Sequence, residues 1–231
     1  MWEPQLTLPE LGWRIVAPDL LGFNGRDGVP AAPSIDDYAG DVIDLLDALR
    51  MDQAVIGGLS MGGYVAFAIL RHAPRYVRAL VLADTSPRAD AQEAAEGRKR
   101  LLQLVNEKGP AAVADEMIPK LLGASTRAHR LDLIERVRSL VMSNSPASIA
   151  GAIRALMTRP DSTPLLHSIH CPTLVLVGDE DVITPPPLSE ELHRAIAGSE
   201  FAVIPAAGHL SSLEQSDDFN AAVARFLTHR V

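Results

Sequence analysis

Ser60 stands among four glycines in Gly57-Gly58-Leu59-Ser60-Met61-Gly62-Gly63. An apolar run precedes it and a stretch with helical apolar spacing follows. Gly58-x-Ser60-x-Gly62 is the pattern of a serine on a sharp strand-to-helix turn. Such a turn holds the serine at unfavourable backbone angles, so its neighbours must lack bulk. It lifts the hydroxyl off the end of a sheet and aims a helix N-terminus at it. The Met61 N–H is then placed to donate to an oxyanion. The competing reading is a glycine-rich turn that binds phosphate or merely packs. It is the poorer one, because no lysine follows as a phosphate loop requires.

A serine hydroxyl is a weak nucleophile at neutral pH. It needs a base, and the base needs an orienting acid. For this kind of turn the chain order is serine, acid, histidine. Asp181 lies in Gly178-Asp179-Glu180-Asp181-Val182-Ile183-Thr184-Pro185, directly after an apolar run, and is the expected acid. Asp179 and Glu180 compete with it, and Asp84, at the end of another apolar run, is a weaker alternative. His209, in Pro205-Ala206-Ala207-Gly208-His209-Leu210, is the expected base. Of seven histidines it alone follows the acid at the exit of a strand. His193 and His229 fall on helices, and His72, His129, His167 and His170 precede the acid. A structural role for His209 is the alternative.

These residues need elements to carry them. Apolar runs predict strands at 13–19, 53–59, 77–83, 173–177 and 200–204. Helical spacing predicts a helix entered at Ser34, with Asp36 and Asp37 in its first turn, and others at 63–72, 187–197 and 214–227. Residues 20–33 are rich in Gly and Pro and read as loop. Alternation of strand and helix predicts an α/β fold with a mostly parallel sheet flanked by helices. Residues 87–160 break the alternation. They hold amphipathic helices separated by Gly109-Pro110, Gly123 and Pro146, and no strand. The expected division is a core of 1–86 and 161–231 with a helical insertion at 87–160. Leu101, Leu104, Met117, Leu121, Leu122 and Met157 could line a pocket there, although helix packing accounts for most of them.

Composition limits the partners. The chain has 231 residues, 47% of them hydrophobic, and a net charge of −8. That supports a sizeable core and argues against nucleic acid or an anionic membrane, leaving a small-molecule substrate. The single cysteine, Cys171, excludes an internal disulfide and reads as a small buried residue at a strand start. No HxxxH or CxxC spacing offers a metal site, and no cofactor is expected. No apolar run approaches a membrane span and the N-terminus lacks the form of a signal peptide, so a cytoplasmic protein is expected.

Taken in order, GLSMGG, GDEDVITP and AGH resemble the α/β-hydrolase superfamily, and the similarity covers nearly the whole chain. Trp13 to Gly28 (WRIVAPDLLGFNGRDG) resembles that family's strand and following loop. The 87–160 insertion stands where the family carries a helical lid. The resemblance is greatest to the lactonase, esterase and cofactor-free haloperoxidase-like branch. It implies that Ser60 is the nucleophile, Asp181 the orienting acid and His209 the base and then the acid. It also implies lid helices that shape substrate choice.

One departure stands out. The family's first strands, a central strand and its His-Gly oxyanion loop have no counterpart, and the sequence contains no His-Gly pair. Met1 is therefore expected to be an internal methionine of a longer protein. In the alternative the strand at 13–19 pairs directly with 53–59, or leaves a groove that another chain fills, which predicts a homo-oligomer. Three functions compete. The first is hydrolysis of small esters or lactones through an acyl-enzyme. The second is peracid formation or acyl transfer by the same three residues. The third is binding without turnover, which the missing oxyanion loop would favour.

Overall fold

The computed structural model describes residues 1–26 and 33–231. Part of the Gly/Pro-rich loop expected at 20–33, and the end of the family-like stretch at 13–28, lie outside the described residues. Helix α1 (Ile35–Ala48) opens with a capping box. The Ser34 hydroxyl accepts from the Asp37 N–H at 3.2 Å, and the Asp37 carboxylate accepts from the Ser34 N–H at 2.7 Å. Strand β1 (Ala54–Leu59) leads into helix α2 (Met61–His72), and strand β2 (Val77–Ala83) follows. Four helices come next: α3 (Gln92–Leu121), α4 (Ala124–His129), α5 (Leu131–Met142) and α6 (Pro146–Met157). Strand β3 (Thr173–Gly178), helix α7 (Pro186–Ala195) and strand β4 (Glu200–Ile204) restore the alternation. Helices α8 (Ser211–Glu214) and α9 (Ser216–Arg230) end the chain.

The four strands form one parallel sheet in the order β1-β2-β3-β4. Period-two alternation sends Leu80, Leu82 and Val175 to one face, where they meet residues of α1, α2 and α7. Ala79, Val81, Ala83, Leu174 and Leu176 point the other way, onto Phe219, Val223 and Phe226 of α9. Burial of both faces explains why β2 and β3 read as near-continuous apolar runs.

The stretch expected as a strand at 13–19 is not one. It pairs with no strand among the described residues, so β1 keeps one edge unpaired by any described strand. The alternation of the stretch has another outlet. Trp13 packs on the α9 side of the core and lies under the Arg78 guanidinium, while Val16 is exposed. An apolar pattern predicts which side of a segment is buried, but a strand also needs a neighbour for its N–H and C=O groups.

The helices of 92–157 contain no strand, as the pattern indicates. Gly109 takes φ 76° and kinks α3 just before Pro110. Val105, Val113, Ala150 and Ile153 form a small core of their own, with Leu101, Met117 and Met157 against it. Leu122, with Leu133 and Val137, instead joins the core under the sheet, and Leu121 packs on its edge. Cys171 is half-buried rather than buried, and desolvation pushes its thiol up.

Candidate active site

Parallel strands deliver their following loops to one edge of the sheet. Ser60 follows β1, Asp84 follows β2, Asp181 follows β3 and His209 follows β4. Ser60 itself is held at φ 53°, ψ −114°, a region that side chains rarely adopt. Backbone bonds hold it there. Its N–H donates to the Ala83 carbonyl, and its own carbonyl accepts from the Gly63 N–H and the Thr85 hydroxyl, all at 2.9 Å. A Cβ on Gly58 would run into the Gly62 carbonyl and the Gly63 nitrogen, and one on Gly63 would run into the Thr85 side chain. Those two glycines are therefore sterically required. Gly62 is not, since a Cβ there meets nothing within 4 Å.

Ser60 sits where a serine would normally cap a helix, yet its hydroxyl makes no cap bond. It lies 2.8 Å from His209 Nε2 instead. His209 Nδ1 lies 2.9 Å from Asp181 Oδ2. His209 and Asp181 are each 2% exposed. Asp181 Oδ2 also accepts from the Thr184 hydroxyl at 2.6 Å, while Oδ1 accepts from the N–H groups of Ile183 and Thr184 at 2.8 and 3.0 Å. Burial alone would raise the Asp181 carboxyl. The bonds from His209 and Thr184, and the charge His209 can carry, outweigh that and hold it below the usual range. An ionised Asp181 accepts from Nδ1–H, which leaves Nε2 bare to accept the Ser60 proton. The Met61 and Gly62 N–H groups open α2, where a helix lacks acceptors for its first donors.

The other candidate acids lie elsewhere. Asp179 accepts from the Ala207 N–H at 3.3 Å. Glu180 binds Ser125, accepting its N–H at 2.8 Å and its hydroxyl. Asp84 is fully buried and accepts from the Gly178 N–H at 2.8 Å and from the Ser211 hydroxyl. Burial pushes its carboxyl up to about 7, against the opposing pull of His209 and these two bonds. His193 stacks on Phe201, with ring centroids 5.5 Å apart, and bonds to Ser199.

Sequence reading missed the residues that brace this line. Thr184 had a local signal, three residues after Asp181. Thr85 and Ser211 had none, because their contacts cross long stretches of chain; Glu214 binds the N–H groups of Gly208 and Leu210, six and four residues before it, but its bond to Gly123 is distant in sequence. One turn beyond Ser60, Tyr64 is buried beneath Arg159, whose guanidinium carbon is 4.3 Å from the ring centroid. Arg159 and Arg98 both pair with Asp90, at 2.7 and 2.5 Å. Burial pushes the Tyr64 hydroxyl up. No cluster of metal-ligating side chains occurs among the described residues, and no described helix is long and apolar enough to cross a membrane.

The strand-turn-helix at Ser60, the loop after β3 and the loop after β4 form one hydrogen-bonded unit at the sheet edge. A model of the alpha/beta hydrolase family matches residues 1–222. The chain belongs to that family. Among solved structures, this alpha/beta hydrolase is similar to a thermophilic esterase from Thermogutta terrifontis. Identity is 40% and the TM-score 0.94, covering 98% of this chain and 84% of that one. The enol-lactonase from Burkholderia xenovorans LB400 is 26% identical with a TM-score of 0.90, covering 99% and 86%. By sequence, 3-oxoadipate enol-lactonase 2 of Acinetobacter baylyi is 29% identical over 96% of this chain and 82% of its own length.

Proposed function

We propose that this alpha/beta hydrolase is a serine hydrolase of small carboxylic esters or lactones. The observation that carries the reading is the continuous line from Asp181 through His209 to Ser60, with bonds of 2.9 and 2.8 Å. Its similarity to an esterase and to enol-lactonases supports the substrate class.

In this mechanism His209 Nε2 takes the Ser60 proton as Oγ attacks the ester carbon. The carbonyl oxygen becomes an oxyanion, to which the Met61 N–H donates at the N-terminus of α2. Asp181 holds the imidazole in the required tautomer and stabilises the imidazolium. The C–O bond to the leaving alcohol then breaks and His209 returns its proton to that alcohol. A lactone opens in the same step and keeps its alcohol tethered. Water, deprotonated by His209, attacks the acyl-enzyme and releases the acid and Ser60. The helices of 92–157 serve as the lid that selects the acyl group.

Intact-mass labelling with a fluorophosphonate tests the reading. A single adduct on the parent chain and none on Ser60→Ala is expected, with hydrolysis of short-chain esters or small lactones tracking the same difference. No adduct on folded, monodisperse protein would overturn hydrolysis in favour of binding without turnover. A labelled protein that transfers acyl groups or forms peracids faster than it hydrolyses would replace the substrate assignment alone.

A further inference from the structure

Two carboxylates outside the Asp181–His209–Ser60 line tie its loops to one short joint in the helical segment. Glu214 is 3% exposed. Its Oε1 accepts from the N–H groups of Gly208 and Leu210, the two neighbours of His209, at 2.9 and 3.1 Å. Its Oε2 accepts from the Gly123 N–H at 2.8 Å, in the joint between α3 and α4. The Leu210 N–H is shared with the Leu121 carbonyl at 3.2 Å. Glu180, beside Asp181, binds the other end of the joint through the N–H and hydroxyl of Ser125. The backbones also touch. A Cβ on Gly208 would run into the Gly123 nitrogen, and a Cβ on Gly123 would run into Glu180 and the Gly208 nitrogen.

A buried carboxylate that accepts three N–H groups cannot shift without stranding donors, and each stranded donor costs more than an ordinary bond contributes. The joint and the base loop therefore move together or stay together. We propose that Glu214, assisted by Glu180, is a positioning residue that makes residues 121–125 part of the frame aligning His209 and Asp181. The placement of the helical segment and the alignment of the base are then one mechanical unit. The catalytic consequence rests on the hydrolase reading above, while the mechanical coupling stands apart from it.

Glu214→Gln tests this on the full chain. An amide has one acceptor oxygen, so in either orientation its NH2 faces a backbone donor and one side of the clamp is lost. Two readouts apply. Hydrogen exchange is followed in segments 119–127 and 203–213. The rate of Ser60 labelling by a fluorophosphonate is followed against pH. Exchange is expected to rise in both segments together. Labelling should slow roughly ten- to a hundredfold, as for a base displaced by a fraction of an ångström. Its pH midpoint should move, and Glu214→Asp should recover part of the loss. Ile196→Val, in the core on the opposite face of the sheet, is the destabilised control and should change neither. If Glu214→Gln does not fold, Glu180→Gln releases the other end of the joint and should still raise exchange in both segments. Exchange rising in one segment only, or in neither, overturns the proposal. So does a labelling loss no greater than the control's. A parent chain that is not labelled at all sinks the hydrolase reading, and the exchange result still decides the coupling.

Discussion

Ser60 gives up two things that a serine at the start of a helix would normally have. It lacks the cap bond, worth about 1 kcal/mol, and it holds a backbone conformation costing about 1–3 kcal/mol. Both losses serve one end, the hydroxyl's reach to His209. Ser60→Gly should therefore raise the melting temperature and abolish fluorophosphonate labelling, whereas Ser60→Ala should abolish labelling without that gain. Equal melting temperatures for the two variants would show that the angles cost nothing. Asp181 is the second test at this scale. Asparagine fits the same space, but its NH2 turned toward Nδ1 would leave the imidazole in the wrong tautomer. Asp181→Asn should slow labelling by roughly 10³- to 10⁴-fold with the fold intact, measured as the second-order rate on protein of unchanged circular dichroism. A loss below tenfold would remove Asp181 from the mechanism.

At the scale of elements, the turn between β1 and α2 works because α2 lies close against the exit of β2. The Thr85 side chain fills the space where a Cβ of Gly63 would stand, and its hydroxyl holds the Ser60 carbonyl. Gly63→Ala should cost about 1–3 kcal/mol by overpacking, read from urea unfolding. Thr85→Ala, which removes two of the three crowding atoms, should recover part of that in the double variant, so the two changes are not additive. Additive costs would mean that the contact is not the cause. The same elements show what could be read from the sequence. Strands β1 to β4 were legible because burial on both faces writes apolar runs, and the loops that follow them were legible as places for Ser60, Asp181 and His209. Residues 13–19 carry a similar pattern without a partner strand among the described residues, and periodicity does not report partners. Of the glycines near Ser60, Gly58 and Gly63 met the steric reason inferred for them, and Gly62 did not. The bonds of Thr85 to Ser60, of Glu180 to Ser125 and of Glu214 to Gly123 were unreadable because each reaches chain distant in sequence, which only the packed sheet and helices bring within reach.

At the scale of the molecule, the sheet edge buries two carboxyl groups that pull stability in opposite directions with pH. Asp181 has a lowered folded value, so its contribution is present above its unfolded value and is lost as pH falls through the folded one. Asp84 is the reverse, raised from 3.8 to about 7 chiefly by burial. At this group the folded chain keeps a proton that the unfolded chain loses between those values, so the contribution of Asp84 to stability should fall as pH rises from about 4 to about 7 and level off above. The change amounts to a few kcal/mol on the order of the shift. Asparagine at 84 keeps both contacts, its oxygen accepting from the Gly178 N–H and its NH2 donating to the Ser211 oxygen, and it carries no proton to lose. Asp84→Asn should come nearest the parent at or below about pH 4 and exceed it at pH 8, measured as urea midpoints at the two pH values. Identical slopes in the parent and the variant would show that Asp84 is ionised throughout. The charge also faces His209 and Asp181. A protein made more stable at alkaline pH by that one substitution would tie this part of its pH dependence to the residue that braces the ends of β2, β3 and α8 together.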